Sequence, residues 1–307
     1  MSDVNFDRVY KLTLIKAPEL VDIAGFKASF FDSLETVTEI TDHRIQFKVQ
    51  KHLKKEPNTA EITITNLSVA SRDALKKGPT KIQLAAGYDG TPRLLFLGDV
   101  RFADSTKDGT EWLTKLQVAD GGRAYAEARV NRSYGKGTPL TAIIGDIAKA
   151  FGVPMPPEVT ANADLLARLP TGEVTTGYAS DELTRLLDRF GLDWSFQNGR
   201  LQILRSDQIV PSLVRVINED SGMIGSPEID PPKITAPPKA GHRRGRAREL
   251  KVPKLKVKNE LYPELTPGEK LQVESEQGTG LFRLDVVTHE GDTHGEAWQS
   301  EIEATAA

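Results

Sequence analysis

The chain has 307 residues, no cysteine and a formal charge of −3, with 38% apolar, 27% charged and 7% aromatic residues. Without cysteine there is no disulfide, thiolate metal centre or cysteine nucleophile, and the small net charge gives no reason to expect nucleic-acid or membrane binding. No apolar run near the N-terminus suits a signal peptide or membrane span, so the protein is expected to start in the cytosol; at roughly 150 residues per domain the length predicts about two domains, or three small ones.

In chain order, a short strand is expected at Tyr10–Lys16, followed by an interrupted apolar stretch from Leu20 to Phe31. Ile45, Phe47 and Val49 then alternate with Arg44, Gln46, Lys48 and Gln50, and Ala60, Ile62 and Ile64 alternate with Glu61, Thr63 and Thr65 across a Lys55–Asn58 turn. That is a hairpin with one wet face. Ser71–Lys77 reads as a short helix stopped at Gly78-Pro79. Strands follow at Lys81–Gly87, Leu94–Phe102 and Trp112–Val118, punctuated by Asp89-Gly90 and Asp108-Gly109. Short strands between turn signals predict a β-barrel or sandwich for residues 1–122.

The period changes next. Thr138 reads as an N-cap with Pro139 at the first helical position, Leu140, Ile143, Ile144, Ile147 and Phe151 form one helix face, and Gly152 ends it. A second helix repeats the design, with Ser180 as the expected cap, Leu183, Leu186, Leu187 and Phe190 on its face, and Gly191 at its end. Asn198-Gly199 between Asp193–Gln197 and Arg200–Leu204 is a strong hairpin signal. Residues 123–208 are therefore expected to form a compact α/β module with the two helices side by side. From Leu213 a β pattern returns (Val214, Val216) and breaks over Ser221–Pro227.

A Pro-rich basic segment at about 231–258 interrupts the third unit, 209–307. Arg243, Arg244, Arg246, Arg248 and Lys251 are its candidate contacts for an acidic partner; there are no interleaved aromatics for base stacking and no recognition helix. The stretch Glu260–Ala304 is expected to be a small antiparallel sheet. Leu271 and Val273 face the core, as do Phe282, Leu284 and Val286. A polar loop spans Thr288–Gly295, and Trp298, Ser300, Ile302 and Ala304 share a face. The His289-Glu290-Gly291-Asp292-Thr293-His294 cluster could bind a divalent metal, but the histidines are five apart with a glycine between them, unlike the helical His-Glu-x-x-His spacing. The favoured alternative is a tight turn in which Asp292 and Thr293 bond backbone amides. Asp120-Gly121-Gly122 and Gly135–Pro139 lack P-loop spacing, and there is no Gly-x-Ser-x-Gly elbow. No catalytic, cofactor or metal residue is assigned.

Several motifs resemble the baseplate hub proteins of long-tailed bacteriophages, the tube-to-spike adaptor family that includes late control protein D and the VgrG-like base. These are Asn66-Leu67-Ser68, Ile82–Tyr88, Phe96–Val100, Ser221–Pro227, Pro263–Gly268, and His289–Gly295 with Trp298 and Glu301–Ala304. The resemblance implies a mainly β (α+β) chain with two tail-tube-like domains and a small two-helix module between them. It implies a homotrimer without cofactor or membrane insertion, located in the virion baseplate and made in the host bacterial cytoplasm. The implied neighbours are the tail tube or distal tail protein, the central spike, the tape-measure protein and other baseplate subunits, with DNA passing through a channel without sequence-specific binding. Two other functions compete: a tail-associated metal-dependent hydrolase using His289 and His294, and the spike base of a phage-derived injection or secretion system.

Overall fold

The computed structural model describes residues 7–16, 35–76, 80–154, 168–205, 207–210, 212–230, 253–276 and 279–307. The fold is mainly β. Strands β1 (Arg8–Lys16), β2 (Glu35–Ile40), β3 (Ile45–His52) and β4 (Thr59–Thr65) precede helix α1 (Val69–Lys76), and β5 (Thr80–Tyr88), β6 (Thr91–Asp108) and β7 (Glu111–Ala119) follow it. Each β-branched, alternating run forms a strand because one face packs on apolar neighbours while the other stays wet. In β3, Ile45, Phe47 and Val49 are buried and Gln46, Lys48 and Gln50 are exposed. The 18-residue β6 turns the corner of the sheet: residues 91–99 pair with β5 and residues 99–108 with β7. The sheet thereby folds over itself. Leu12 and Leu14 of β1 and Ile82 and Leu84 of β5 close a core over Ile45, Phe47, Ile62 and Leu116.

The module begins with α2 (Gly122–Glu127) and β8 (Arg129–Tyr134), continues through α3 (Leu140–Phe151), β9 (Glu173–Tyr178) and α4 (Ala179–Asp188), and ends in the hairpin of β10 (Leu192–Gln197) and β11 (Arg200–Arg205). It has its own core. Ile143, Ile144, Ile147 and Phe151 of α3 and Leu183, Leu186 and Leu187 of α4 pack on Trp194 and Phe196, with Trp194 stacked 5.8 Å from Phe151. Asn198 and Gly199 take positive φ (52° and 75°), as the two-residue turn requires. The expected caps are displaced. Pro139 is the N-cap of α3 and Tyr178 that of α4, neither with a side-chain cap bond. Thr138 instead bonds the Gly135 carbonyl, and Ser180 lies inside α4 and donates to the Tyr125 carbonyl. Gly152 ends α3 with φ 71° and amide bonds back to Ala148 and Lys149, as read from the sequence.

The last part holds β12 (Arg215–Ile217), β13 (Met223–Asp230), β14 (Lys254–Glu260), β15 (Lys270–Val273), β16 (Gly280–Asp292) and β17 (Trp298–Ala306). The expected break at Ser221–Pro227 takes the form of a turn at Ser221-Gly222 and an irregularity at 225–227, where β13, starting at Met223, shifts register against β14 between Ile224 and Glu228. The tail of the basic stretch, from Lys254 onward, is regular strand, with Leu255 and Val257 inward and Lys254, Lys256 and Lys258 outward. The closing sheet is not separate. His289 of β16 pairs with Val49 of β3 in a seven-residue antiparallel ladder, so one 13-stranded sheet passes through both β regions. Its pairings are antiparallel apart from β12 with β15. A bulge between Leu284 and Val286 inserts one residue and flips the phase, burying Val287 where alternation predicted Val286. Among the described residues, no helix is long and apolar enough to cross a membrane.

Candidate functional site

Side chains from all three regions meet at Glu260–Glu269, a strap between β14 and β15. Proline and glycine keep it out of regular structure, so side chains from all three regions satisfy its backbone groups. The Leu261 amide donates to the Tyr88 hydroxyl (3.0 Å) and the Tyr262 amide to Ser300 Oγ (2.9 Å). The carbonyls of Pro263 and Leu265 accept from Lys51 Nζ at 3.4 and 3.2 Å. Glu264 pairs with Arg93 (2.9 Å) and Arg215 (3.6 Å). Gln202, from the module, donates to the Pro267 carbonyl (3.2 Å). Gly268 has φ 96°, and a Cβ there would stand 2.9 Å from Leu204 and 3.0 Å from Gln202, so glycine is needed for both conformation and space.

Beneath the strap runs a buried polar row. Lys51, His289, Ser300 and Asn259 are all buried, between a cluster containing Leu261 and Trp298 and another containing Val257, Val287 and Ile302. His289 Nδ1 lies 2.8 Å from Ser300 Oγ. Burial lowers the Lys51 ammonium to about 8, opposed by Asp120 and Glu269. Burial, with Lys51 nearby, holds His289 well below the ordinary imidazole range. Lys51 was not singled out in the sequence, but it is in phase with Ile45, Phe47 and Val49, and that parity places it inside.

A second junction joins the module to the sheet. Asn58 accepts from the His52 amide (2.8 Å) and donates to the Phe196 carbonyl (2.7 Å) and Gln197 Oε1 (3.0 Å). Gln197 returns a bond to the His52 carbonyl (2.8 Å). The fully buried Asp120 carboxyl accepts the Asn198 and Gly199 amides at 2.5 and 2.7 Å. Hairpin and sheet are thus joined by complementary polar groups.

The histidine-acid segment resolves into strand and turn. His289 lies on β16 in the core, where a loop was expected, and His294 lies on the turn with its ring nitrogen 3.0 Å from Thr293 Oγ1. Asp292 accepts Arg44 Nη2 (2.9 Å), Gln46 Nε2 (2.8 Å) and the His294 amide (2.9 Å), and Thr293 accepts the Ile45 amide (3.1 Å). The Arg44 hydrogen bond holds the Asp292 carboxyl far below the usual range. Among the described residues, no three His, Asp or Glu side chains are grouped to hold a metal ion. Arg243, Arg244, Arg246, Arg248 and Lys251 lie outside the described residues.

These contacts join the three apolar clusters. The fold matches the 43 kDa tail protein of prophage MuSo2 from Shewanella oneidensis, with TM-score 0.59 and 12% identity over 96% of both chains. The chain has the fold of phage tail proteins. A tail protein from Neisseria meningitidis MC58 matches equally, with TM-score 0.59 and 11% identity over 96% of both chains. A Francisella PdpA–VgrG complex matches with TM-score 0.63 and 10% identity, covering 97% of this chain and 53% of that one. No protein-family model matches the sequence, and no curated protein matches it.

Proposed function

We propose that the chain is the hub subunit of a tail baseplate, a trimeric ring joining the hexameric tail tube to the trimeric spike and lining the DNA channel. The observation that carries this reading is the tail-protein fold, matched across 96% of both chains rather than over one part. The sheet supports it physically. Two β regions, residues 1–122 and 209–307, flank the 123–208 module and join through the β3–β16 ladder. Two such units in each of three chains make six, a surface that suits sixfold symmetry on one side and threefold on the other. The partners are further copies, the tube or distal tail protein and the spike, with function lying in interfaces. The basic segment, with Arg243, Arg244, Arg246, Arg248 and Lys251, contacts an acidic neighbour. Deleting residues 234–252 then weakens tail assembly; unchanged assembly refutes that part.

The match to a VgrG complex favours a second reading, the spike base of an injection or secretion system. Imaging the purified protein with each candidate neighbour separates the two: a ring that caps tail tube supports the hub, and a ring that seats only on a secretion spike supports the alternative. A hydrolase would need a site other than His289 and His294, since His289 is enclosed in the core.

A further inference from the structure

We propose that the Glu260–Glu269 strap is an acid-opened latch: protonation of His289 puts a proton on both ring nitrogens with only Ser300 to accept one, sets a second cation beside Lys51, and releases the strap from the sheet. The latch follows from the strap's own contacts and stands whatever assembly the chain enters.

The β3–β16 register sets Lys51 opposite Val287 and His289 opposite Val49, so Lys51 and His289 are diagonal neighbours on one buried face. Ser300 lies opposite His289 on β17. Its oxygen accepts the strap's Tyr262 amide and lies 2.8 Å from His289 Nδ1, while His289 Nε2 is buried without a partner. An imidazolium donates from both nitrogens. The Nδ1 bond then runs toward Ser300 Oγ, the Nε2 proton has no acceptor, and Tyr262 shares its anchor with a cation. The strap carbonyls of Pro263 and Leu265 already hold the Lys51 ammonium.

The charged groups facing this pair are few. Lys51 comes from β3, Asp120 from the end of β7, and Glu269 from the strap; β14 and β17 supply the neutral Asn259 and Ser300. Asp120 is occupied by the Asn198 and Gly199 amides, and Ser300 is the hydrogen-bond partner of the His289 ring. No carboxylate therefore sits against the imidazolium to compensate it. Burial raises Asp120 and Glu269 in the closed state, so their protonation favours closure and opposes the opening that His289 drives.

The direction is fixed by linkage. Burial depresses His289 in the closed state well below the ordinary imidazole range, so closure is complete above that range and weakens as pH falls through it. Hydrogen exchange of the 260–269 peptide, corrected for intrinsic rate and divided by that of the β3–β4 ladder, reads the opening. The ratio is expected to rise by up to about twenty-fold between pH 6 and 4.5 in the wild type and not to rise in His289→Gln. An equal rise in His289→Gln overturns the latch. If that variant does not fold, the wild type still decides the matter: a constant ratio overturns the latch, and a rising one supports it.

Discussion

Replacing Asp292 with alanine tests whether the His-Glu-Gly-Asp-Thr-His segment is a structural turn. Its carboxylate joins the turn to β3 through Arg44, Gln46 and the His294 amide. Arg44 projects into water, so screening leaves the ion pair little weight. The magnitude comes from the inner side: losing the acceptor for the His294 amide and for the Gln46 side chain costs about 1 kcal/mol each, or about 2 kcal/mol together. For a chain of this size that lowers the melting temperature by about 4 °C. Asp292→Asn keeps one acceptor and loses about half as much. The Asp292 carboxyl is depressed below the usual carboxylate range, so its contribution is fully present above that range and is lost as pH falls through and below it. Asp292→Ala should therefore show a shallower loss of stability in acid than the wild type. Thermal and urea unfolding at pH 7 and 3, with zinc analysis, check this. A variant that melts within a degree of wild type, or that loses stoichiometric zinc held by the wild type, refutes the turn assignment.

Two other substitutions probe the joints. Gly291 faces Phe47 across the β3–β16 ladder, and a Cβ there would lie 2.2 Å from the ring. Gly291→Ala should cost about 1–3 kcal/mol by overpacking, read from urea unfolding followed by Trp298 fluorescence; an unchanged midpoint would show the ring to be free to move. Asn58→Ala leaves the His52 amide and the Phe196 carbonyl without their bonds and should cost about 2–4 kcal/mol. Limited proteolysis should then cut earlier around the β10–β11 hairpin, and an unaltered pattern would place the module's anchorage elsewhere.

Local signals in the sequence were legible where one residue type settles the backbone. Asn198-Gly199 was read as a turn because it must take positive φ, and the apolar faces of α3 and α4 follow from helical spacing. Face parity identified Trp298, Ser300, Ile302 and Ala304 as inward. Misreadings arose where tertiary contacts overrode local pattern. The bulge at Leu284/Val286 reversed the phase of β16, and pairing with β3 and β17 carried that strand through His289 to Asp292. β13 continues past its glycine- and proline-bearing run because β14 pairs with it on both sides of the register shift there. The strap's role was hidden because Lys51, Tyr88, Gln202 and Ser300 are far apart in the chain, and nothing local announces that they converge.

The most direct test of the hub assignment is the mass of the purified, intact chain in solution at micromolar concentration, by native mass spectrometry or light scattering. The account predicts three copies of the 33.7 kDa chain, whereas a stable monomer under those conditions would contradict it.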